Sequence, residues 1–410
     1  MRRARLTLAA GVTSAAALAS ALAPSACDDA RVDAPCSVGA AATAFTIDGE
    51  GLPIAFDLVE ESDHTILATW TRLRSSPDAG TSKLGRAERA RVGRDGSVLS
   101  RAQVDAPAEL LAREASTEQA GAAWTDAGAL WRWVETSVQT APNGILTRSA
   151  RVVFAFTPQG GGPAIVTAPA ELACTGCSVA LTLASDGERV LVVASIARQS
   201  GAAEGWALRF DRQGALASIA RAPDFVQPLP TAPVPPTAAV ETPNGAGQLG
   251  EERGDFFFFS SRGTWVLGPS LERRAGRLPP ATPGSFVRFD PPGDVAFLAP
   301  APGTGTGEPY VVLSPYDAAG SLRRTPSLVT RASAVLGVTP HGDGGHLVAT
   351  RGEDGVVLSR LEAGGAKRAF DVTASGTGTS YALVATEPFA ARLFTYASNK
   401  LSSVEVRCAP

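Results

Sequence analysis

A chain of 410 residues that is 44% hydrophobic and 19% charged carries enough apolar material for one large repeat architecture or two ordinary domains, which argues against intrinsic disorder. Beyond the first two dozen residues no uncharged apolar stretch approaches a membrane span, which excludes a polytopic helical membrane protein. The formal charge is −3, and −6 (34 basic against 40 acidic) once residues 1–26 with their three arginines are set aside; with no Lys/Arg cluster, nucleic acid and anionic membrane surfaces are disfavoured as partners.

The N-terminus reads as an export signal over residues 1–26. Arg2, Arg3 and Arg5 form a basic start, Leu6 to Ala23 are uncharged and rich in Ala and Leu, and small residues follow before Asp28 and Asp29. Ser25-Ala26-Cys27 resembles the end of a bacterial lipobox, with Pro24 standing where that motif prefers an aliphatic residue. The resemblance implies a diacylated Cys27; ordinary cleavage nearby is the alternative. Residues 27–39 are then a tether, and residues 40–410 one domain.

Export places the thiols in an oxidising compartment. With Cys27 acylated, Cys36, Cys174, Cys177 and Cys408 remain to pair. The simplest pairing is Cys36–Cys408 plus Cys174–Cys177, although four cysteines allow three connectivities. Cys174-Thr-Gly-Cys177 reads as a local structural disulfide. A redox motif would need a strand–helix context, and a zinc site would need a second ligand pair.

After Cys27 the pattern is one of short apolar or alternating runs separated by Gly, Pro and Asp, with almost no helical periodicity. Residues 40–47 (AAATAFTI) form a strand with no partner of its own. The first repeated unit holds Ile66 to Leu73, Ala87 to Val92, an Asp95-Gly96 turn and Ser97 to Val104. The second holds Ala122 to Val134, Arg151 to Phe156, a turn at Gly160–Gly162 and Ala164 to Ala168. The clearest runs from Ser178 to Ala222: Val179 to Leu183, Arg189 to Ile196 (RVLVVASI), Trp206 to Phe210 and Ala215 to Ala220. A degenerate unit follows around Phe256 to Ser260 and Gly263 to Leu267. Val295 to Leu298, Tyr310 to Pro315 and Ser321 to Val329 make the fifth; His346 to Thr350, Val356 to Leu361 and Lys367 to Val372 the sixth. Tyr381 to Thr386, Arg392 to Ala397 and Leu401 to Arg407 give three last strands.

A four-strand meander recurring every ~40–55 residues is the mark of a β-propeller blade. The last unit lacks a fourth strand, and residues 40–47 can supply it, which brings Cys36 to Cys408. These turns and buried strands resemble the repeats of exported bacterial seven-bladed β-propeller proteins, without the Trp-Asp signature of WD40 or the paired glycines of Kelch. The resemblance implies an all-β, seven-bladed ring of four-stranded antiparallel blades closed by the N-terminal strand. Residues 223–250, with seven prolines between Pro223 and Pro243, read as an exposed loop between blades.

Chemistry is sparse. No Gly-x-Ser-x-Gly elbow occurs. His341, Asp343 and His346 are a divalent-metal possibility outweighed by a solvated Gly-rich hairpin. Ser76 to Gly80 partly resembles a sialidase Asp-box but lies between a second and a third strand. Trp131 and Trp133 share one strand face and read as packing; Phe256 to Phe259 read as core; Asp186, Asp290 and Asp294 read as turn residues. The function expected is a non-catalytic binding scaffold at the cell envelope: a monomer with a protein or glycan ligand, no cofactor or metal, and membrane contact through the N-terminal lipid. The alternatives are an extracellular hydrolase or lyase acting on a polymer at the axial face, and a structural part of an envelope complex.

Overall fold

The structure, a computed structural model, describes residues 36–49, 52–61, 63–75, 82–112, 117–140, 146–198, 203–222, 248–252, 255–260, 263–267, 278, 286–290, 294–301, 310–317, 320–332, 334–342, 344–351, 355–361, 367–372 and 380–409. Cys27, Ser76 to Gly80, Asp343 and residues 223–247 of the Pro-rich segment fall outside them. No helix of the described residues is long and apolar enough to cross a membrane.

The chain is all-β, with seven antiparallel sheets in succession among the described residues. Two short strands, β1 (Cys36–Val38) and β2 (Ala42–Thr46), come first and pair with the last strand of the chain. The first sheet is β3 (Leu52–Glu60), β4 (Ile66–Ser75), β5 (Ser82–Val92) and β6 (Val98–Asp105). The second is β7 (Thr117–Trp124), β8 (Gly128–Thr140) and β9 (Leu146–Pro158), with β10 (Ile165–Thr167) and β11 (Ala173–Thr175) both paired to β9. The third is β12 (Cys177–Ser185), β13 (Arg189–Arg198), β14 (Ala203–Asp211) and β15 (Leu216–Arg221). The fourth is β16 (Gln248–Glu252), β17 (Asp255–Ser260) and β18 (Gly263–Leu267). The fifth is β19 (Phe286–Asp290), β20 (Asp294–Ala301), β21 (Tyr310–Tyr316) and β22 (Ser327–Arg331). The sixth is β23 (Val335–His341), β24 (Gly345–Arg351), β25 (Val356–Leu361) and β26 (Lys367–Val372). The seventh is β27 (Ser380–Glu387), β28 (Ala390–Ala397) and β29 (Lys400–Cys408), completed by β1 and β2.

Side-chain alternation explains how the sheets stack. A strand buried on both faces sends successive residues to opposite neighbours. On β13, Val190, Val192, Ala194 and Ile196 pack on Phe154 and Phe156 of the second sheet, while Leu191 and Val193 pack on Phe256 and Phe258 of the fourth. On β8, Leu130 and Val134 face the third sheet, and the fully buried Trp131 and Trp133 join Leu84, Ala87 and Val104 of the first. The fifth sheet packs on the sixth, the sixth on the seventh, and the seventh on the first. First strands also neighbour one another: β7 with β12, β12 with β16, β19 with β23, β23 with β27 and β27 with β3.

The turns follow from Asp and Gly. In Asp211–Gly214 and Asp317–Gly320 the Gly N–H donates to the Asp carbonyl at 3.0 and 2.9 Å, and the Asp carboxylate accepts the N–H of Ala215 or Ser321 at 2.9 Å. Gly214 has φ +76 and its bare Cα lies against the Phe156 ring, so a side chain there would be strained and would collide.

Four first strands escape the sequence pattern: β3, β16, β19 and β23. Each begins its sheet and pairs with another strand on one side only. Their sequences accordingly tolerate Pro53, Gly250, Gly337 and Pro340, and run polar or short. Among the described residues the first to seventh sheets hold four, five, four, three, four, four and five strands, the outer strand being broken in two in the second and the seventh. The strand expected at Ser321 to Val329 begins at Ser327, because Asp317–Ser321 is a turn and Leu322 makes an isolated bridge. Pairing with the seventh sheet begins at Cys36, within the stretch read as a tether, and Gln248–Gly250 open β16.

Candidate functional site

An antiparallel meander has two unlike ends. The turns from first to second and from third to fourth strand share one end; the connections from second to third strand and the crossovers to the next sheet share the other. At the turn end, neighbouring sheets are tied together by polar contacts. Arg89 donates to the Thr125 carbonyl at 3.0 Å and to Gln159 at 2.9 Å, Arg91, paired with Glu61 of its own sheet at 2.6 Å, comes within 4.0 Å of Asp126, and the Thr125 hydroxyl donates to the Arg212 carbonyl at 2.7 Å. Glu61 and Asp126 hold the Arg91 guanidinium above its ordinary range, the hydrogen bond to Glu61 being the largest cause.

At the crossover end a groove of about 660 Å³ opens between the long β8–β9 hairpin and the end of β13. Its walls carry Glu135, Ser149, Arg151, Thr175 and Arg198, with Cys174 in its floor. Glu135 accepts the Trp133 indole N–H at 3.2 Å, Arg198 is paired with Glu204 at 3.1 Å, and the hydroxyls of Ser149 and Thr175 lie 3.3 Å apart. Arg151 is exposed and makes no side-chain hydrogen bond or ion pair among the described residues. The groove therefore offers a planar cationic donor beside a carboxylate and hydroxyls, which suits a polar ligand bearing a carboxylate or clustered hydroxyls.

The cysteines pair as Cys36–Cys408 and Cys174–Cys177, which marks an oxidising, non-cytoplasmic environment. Both bonds fasten an outer strand that is broken in two, β1/β2 in the seventh sheet and β10/β11 in the second. Cys174–Cys177 also joins the second sheet to the first strand of the third. Gly176, at φ +65, donates its N–H to the Arg148 carbonyl at 2.7 Å. With both residues buried, the geometry is that of a structural staple.

The other singled-out residues scatter. Asp186 accepts the N–H groups of Glu188 and Arg189 at 3.0 and 2.7 Å and pairs with the Arg189 guanidinium, as a turn residue does. Asp290 and Asp294 are backbone register partners at the end of β19 and the start of β20. Phe256 and Phe258 are core. His341 and His346 are buried on adjacent strands, the His341 ring edge-on to Phe389 at 5.7 Å. Among the described residues no three His, Cys, Asp or Glu side chains gather in metal-binding range.

Four charged side chains in structured places were invisible in the sequence. Arg72 and Glu88 form a buried pair between the first and seventh sheets. Arg132 lies over Gly121, where an added side chain would meet its guanidinium in ordinary van der Waals contact, and burial pushes it down to about 10. Asp57 follows a β-bulge between Ile54 and Asp57, in which Ala55 has φ +50. The bulge is held by the Ser380 hydroxyl on the Phe56 carbonyl at 2.8 Å and by the Phe56 ring, stacked between Trp70 and Tyr396. Bulges of this kind re-aim a side chain. The Asp57 carboxyl reaches water yet is walled by protein. Desolvation pushes it above the ordinary carboxylate range, against a 2.9 Å hydrogen bond from the Leu58 N–H. An acid whose folded pKa is raised holds its proton more tightly in the folded state, so stability falls as pH rises through that window. Asp57→Asn is expected to raise the melting temperature at pH 7, with the gain disappearing below pH 3.8; thermal melts across pH check it, and an equal gain at every pH would refute it.

No family profile matches the chain and no curated protein matches it. Among solved structures it is similar to the subtype N10 neuraminidase-like protein of A/little yellow-shouldered bat/Guatemala/060/2010, at 9% identity over 92% of this chain and 99% of that one, TM-score 0.39. It is similar to the β-propeller domain of the trilobed protease from Pyrococcus furiosus, at 9% identity over 86% and 94%, TM-score 0.35. A eukaryotic initiation factor matches at 10% identity over 89% and 92%, TM-score 0.34. Similarity at this level transfers no activity to the chain.

Proposed function

We propose that this chain is an exported, lipid-tethered, non-catalytic binding scaffold of the cell envelope, its seven sheets forming the blades of one closed β-propeller. The ring is supported by the pairing of β1 and β2 with β29 and by the packing of the seventh sheet on the first. One observation carries the function: the tethering point and the groove lie at opposite ends of the sheets. Cys36 opposes Cys408 at the turn end, whereas Glu135, Arg151 and Arg198 line the crossover end. A tether through Cys27 turns the groove away from the membrane, toward a protein or glycan ligand.

Two measurements test this. A fatty-acid analogue should tag the wild-type chain and leave Cys27→Ser untagged; a wild-type N-terminus with a free amine would end the tether reading. On peptide and glycan arrays, carboxylate-bearing ligands that bind the wild type should lose about tenfold or more in affinity to Arg151→Ala, the worth of a hydrogen bond from a charged donor. Unchanged binding by Arg151→Ala would move the site elsewhere, and turnover of a bound ligand would make the protein an enzyme.

A further inference from the structure

Large exposed hydrophobic residues are unevenly placed. Eight occur among the described residues: Val38, Val98, Leu99, Val138, Ile165, Val166, Leu322 and Leu328. Scattered singly they would mean little. Five of them, however, lie at the turn end of three sheets that are neighbours. Val38 is two residues from Cys36 in β1 of the seventh sheet; Val98 and Leu99 open β6 just past the Asp95-Gly96 turn of the first; Ile165 and Val166 open β10 past the Gly160–Gly162 turn of the second. The seventh sheet packs on the first, and the first on the second. The five residues therefore form an arc of outer-strand rim beside Cys36. Leu99, Ile165 and Val166 are 57%, 48% and 45% exposed.

The length of chain beyond Cys36 says what covers this arc. Eight residues, 28 to 35, separate Cys36 from Cys27, a reach of about 30 Å even when fully extended. An acyl group on Cys27 thus holds the Cys36 rim within about 30 Å of the lipid. Charge on the same rim is mixed: Asp63, Asp95 and Asp126 stand with Arg91 and Arg94, and Arg407 pairs with Glu387 at 3.2 Å. Such a surface has no net pull toward anionic lipid. We propose that the arc of Val38, Val98, Leu99, Ile165 and Val166 rests on the bilayer surface, with zwitterionic lipid as its occupant. Its aliphatic side chains enter the headgroup–acyl boundary, and the ring is fixed in tilt as well as tethered. This rests on the tether proposed above. The lipid anchor supplies the high local concentration, and the rim adds orientation.

The test uses the full acylated chain in phosphatidylcholine vesicles. With Cys27 acylated and the other four cysteines in disulfides, one added cysteine is the single free thiol, so Leu99→Cys, Ile165→Cys and Val138→Cys can each be labelled with an environment-sensitive fluorophore. Spin-labelled lipid is expected to quench the labels at 99 and 165 several-fold more than the label at 138, on the β8–β9 hairpin at the opposite end, with little change between low and high salt. Co-sedimentation with vesicles without quenching at 99 and 165 would leave the tether standing and overturn the rim contact. Failure to co-sediment would end both. Shielding of the same labels without lipid quenching, together with a cross-linked dimer, would give the rim to a second copy of the chain and overturn the proposal.

Discussion

Replacing Cys36 and Cys408 by serine together is expected to lower stability by about 4–6 kcal/mol, the chain-entropy value for so large a loop and an upper figure for measured effects. The bond spans 372 residues, and its two cysteines are opposite partners of β1 and β29. β1 is three residues long, and two of them, Ser37 and Val38, are exposed. Its pairing alone contributes little, and terminal strands are where opening starts. Without the bond the end of the seventh sheet frays, and Val404, Val406 and the core they share with Leu347 and Leu358 meet water next. Cys174→Ser/Cys177→Ser removes a bond across three residues, worth about 2 kcal/mol or less on the same basis. Denaturant melts of both double variants under oxidising conditions decide the order. If the local pair proves the larger stabiliser, the terminal bond is not what holds this seam.

Glu88→Ala is expected to cost about 3–5 kcal/mol, the penalty for leaving a buried charge without its partner. Arg72 and Glu88 are each 8% exposed. The Arg72 Nε donates to Glu88 Oε1 and its Nη2 to Oε2 at 3.2 Å; the same Nη2 donates to the Asp48 carbonyl at 2.7 Å, and the Trp70 indole N–H reaches Oε2 at 2.9 Å. Asp48 follows β2, so the pair ties the first sheet to the strand that completes the seventh. Beside it Trp70 stacks between Phe45 and Phe56, with ring centroids 5.7 Å away in each case. Truncation strands the guanidinium and the indole together. Glu88→Gln keeps an acceptor for one of them and should cost about half as much. Arg72→Met/Glu88→Leu removes both charges and should fall within about 1–2 kcal/mol of wild type, as buried pairs often do when replaced by apolar residues. A double-mutant cycle by urea unfolding measures the coupling; additive single effects would show that the two side chains act independently.

Strand pattern and cysteine placement made most of the architecture legible in the sequence. β13 reads as buried from RVLVVASIAR alone, and its two faces went to two neighbouring sheets as period-two alternation requires. The incomplete last unit called for an outside strand, and β2 pairs there. The pairing of Cys36 with Cys408 followed from the same need. The first strands were harder. β16 is QLGEE and β23 carries Gly337 and Pro340, because a strand bonded on one side only is under weaker demand for alternation and β-branching.

The candidate site was largely hidden. Arg151, Glu135 and Arg198 lie up to 63 residues apart, and a groove exists only because β8 and β9 outrun their neighbours and meet the end of β13 across the Cys174–Cys177 crossover. Asp57 looks in sequence like any strand aspartate; the bulge at Ala55, held by Ser380 and Tyr396 from more than 320 residues away, decides where it points. By itself the sequence determined what local rules govern, most strands and turns, and it offered the simplest of three cysteine pairings, which the structure holds. Which polar groups converge, which are desolvated and which end of the sheets carries Cys36 were decided by tertiary structure alone, because burial and proximity between distant strands depend on how whole sheets stack and leave no mark in any local window of sequence.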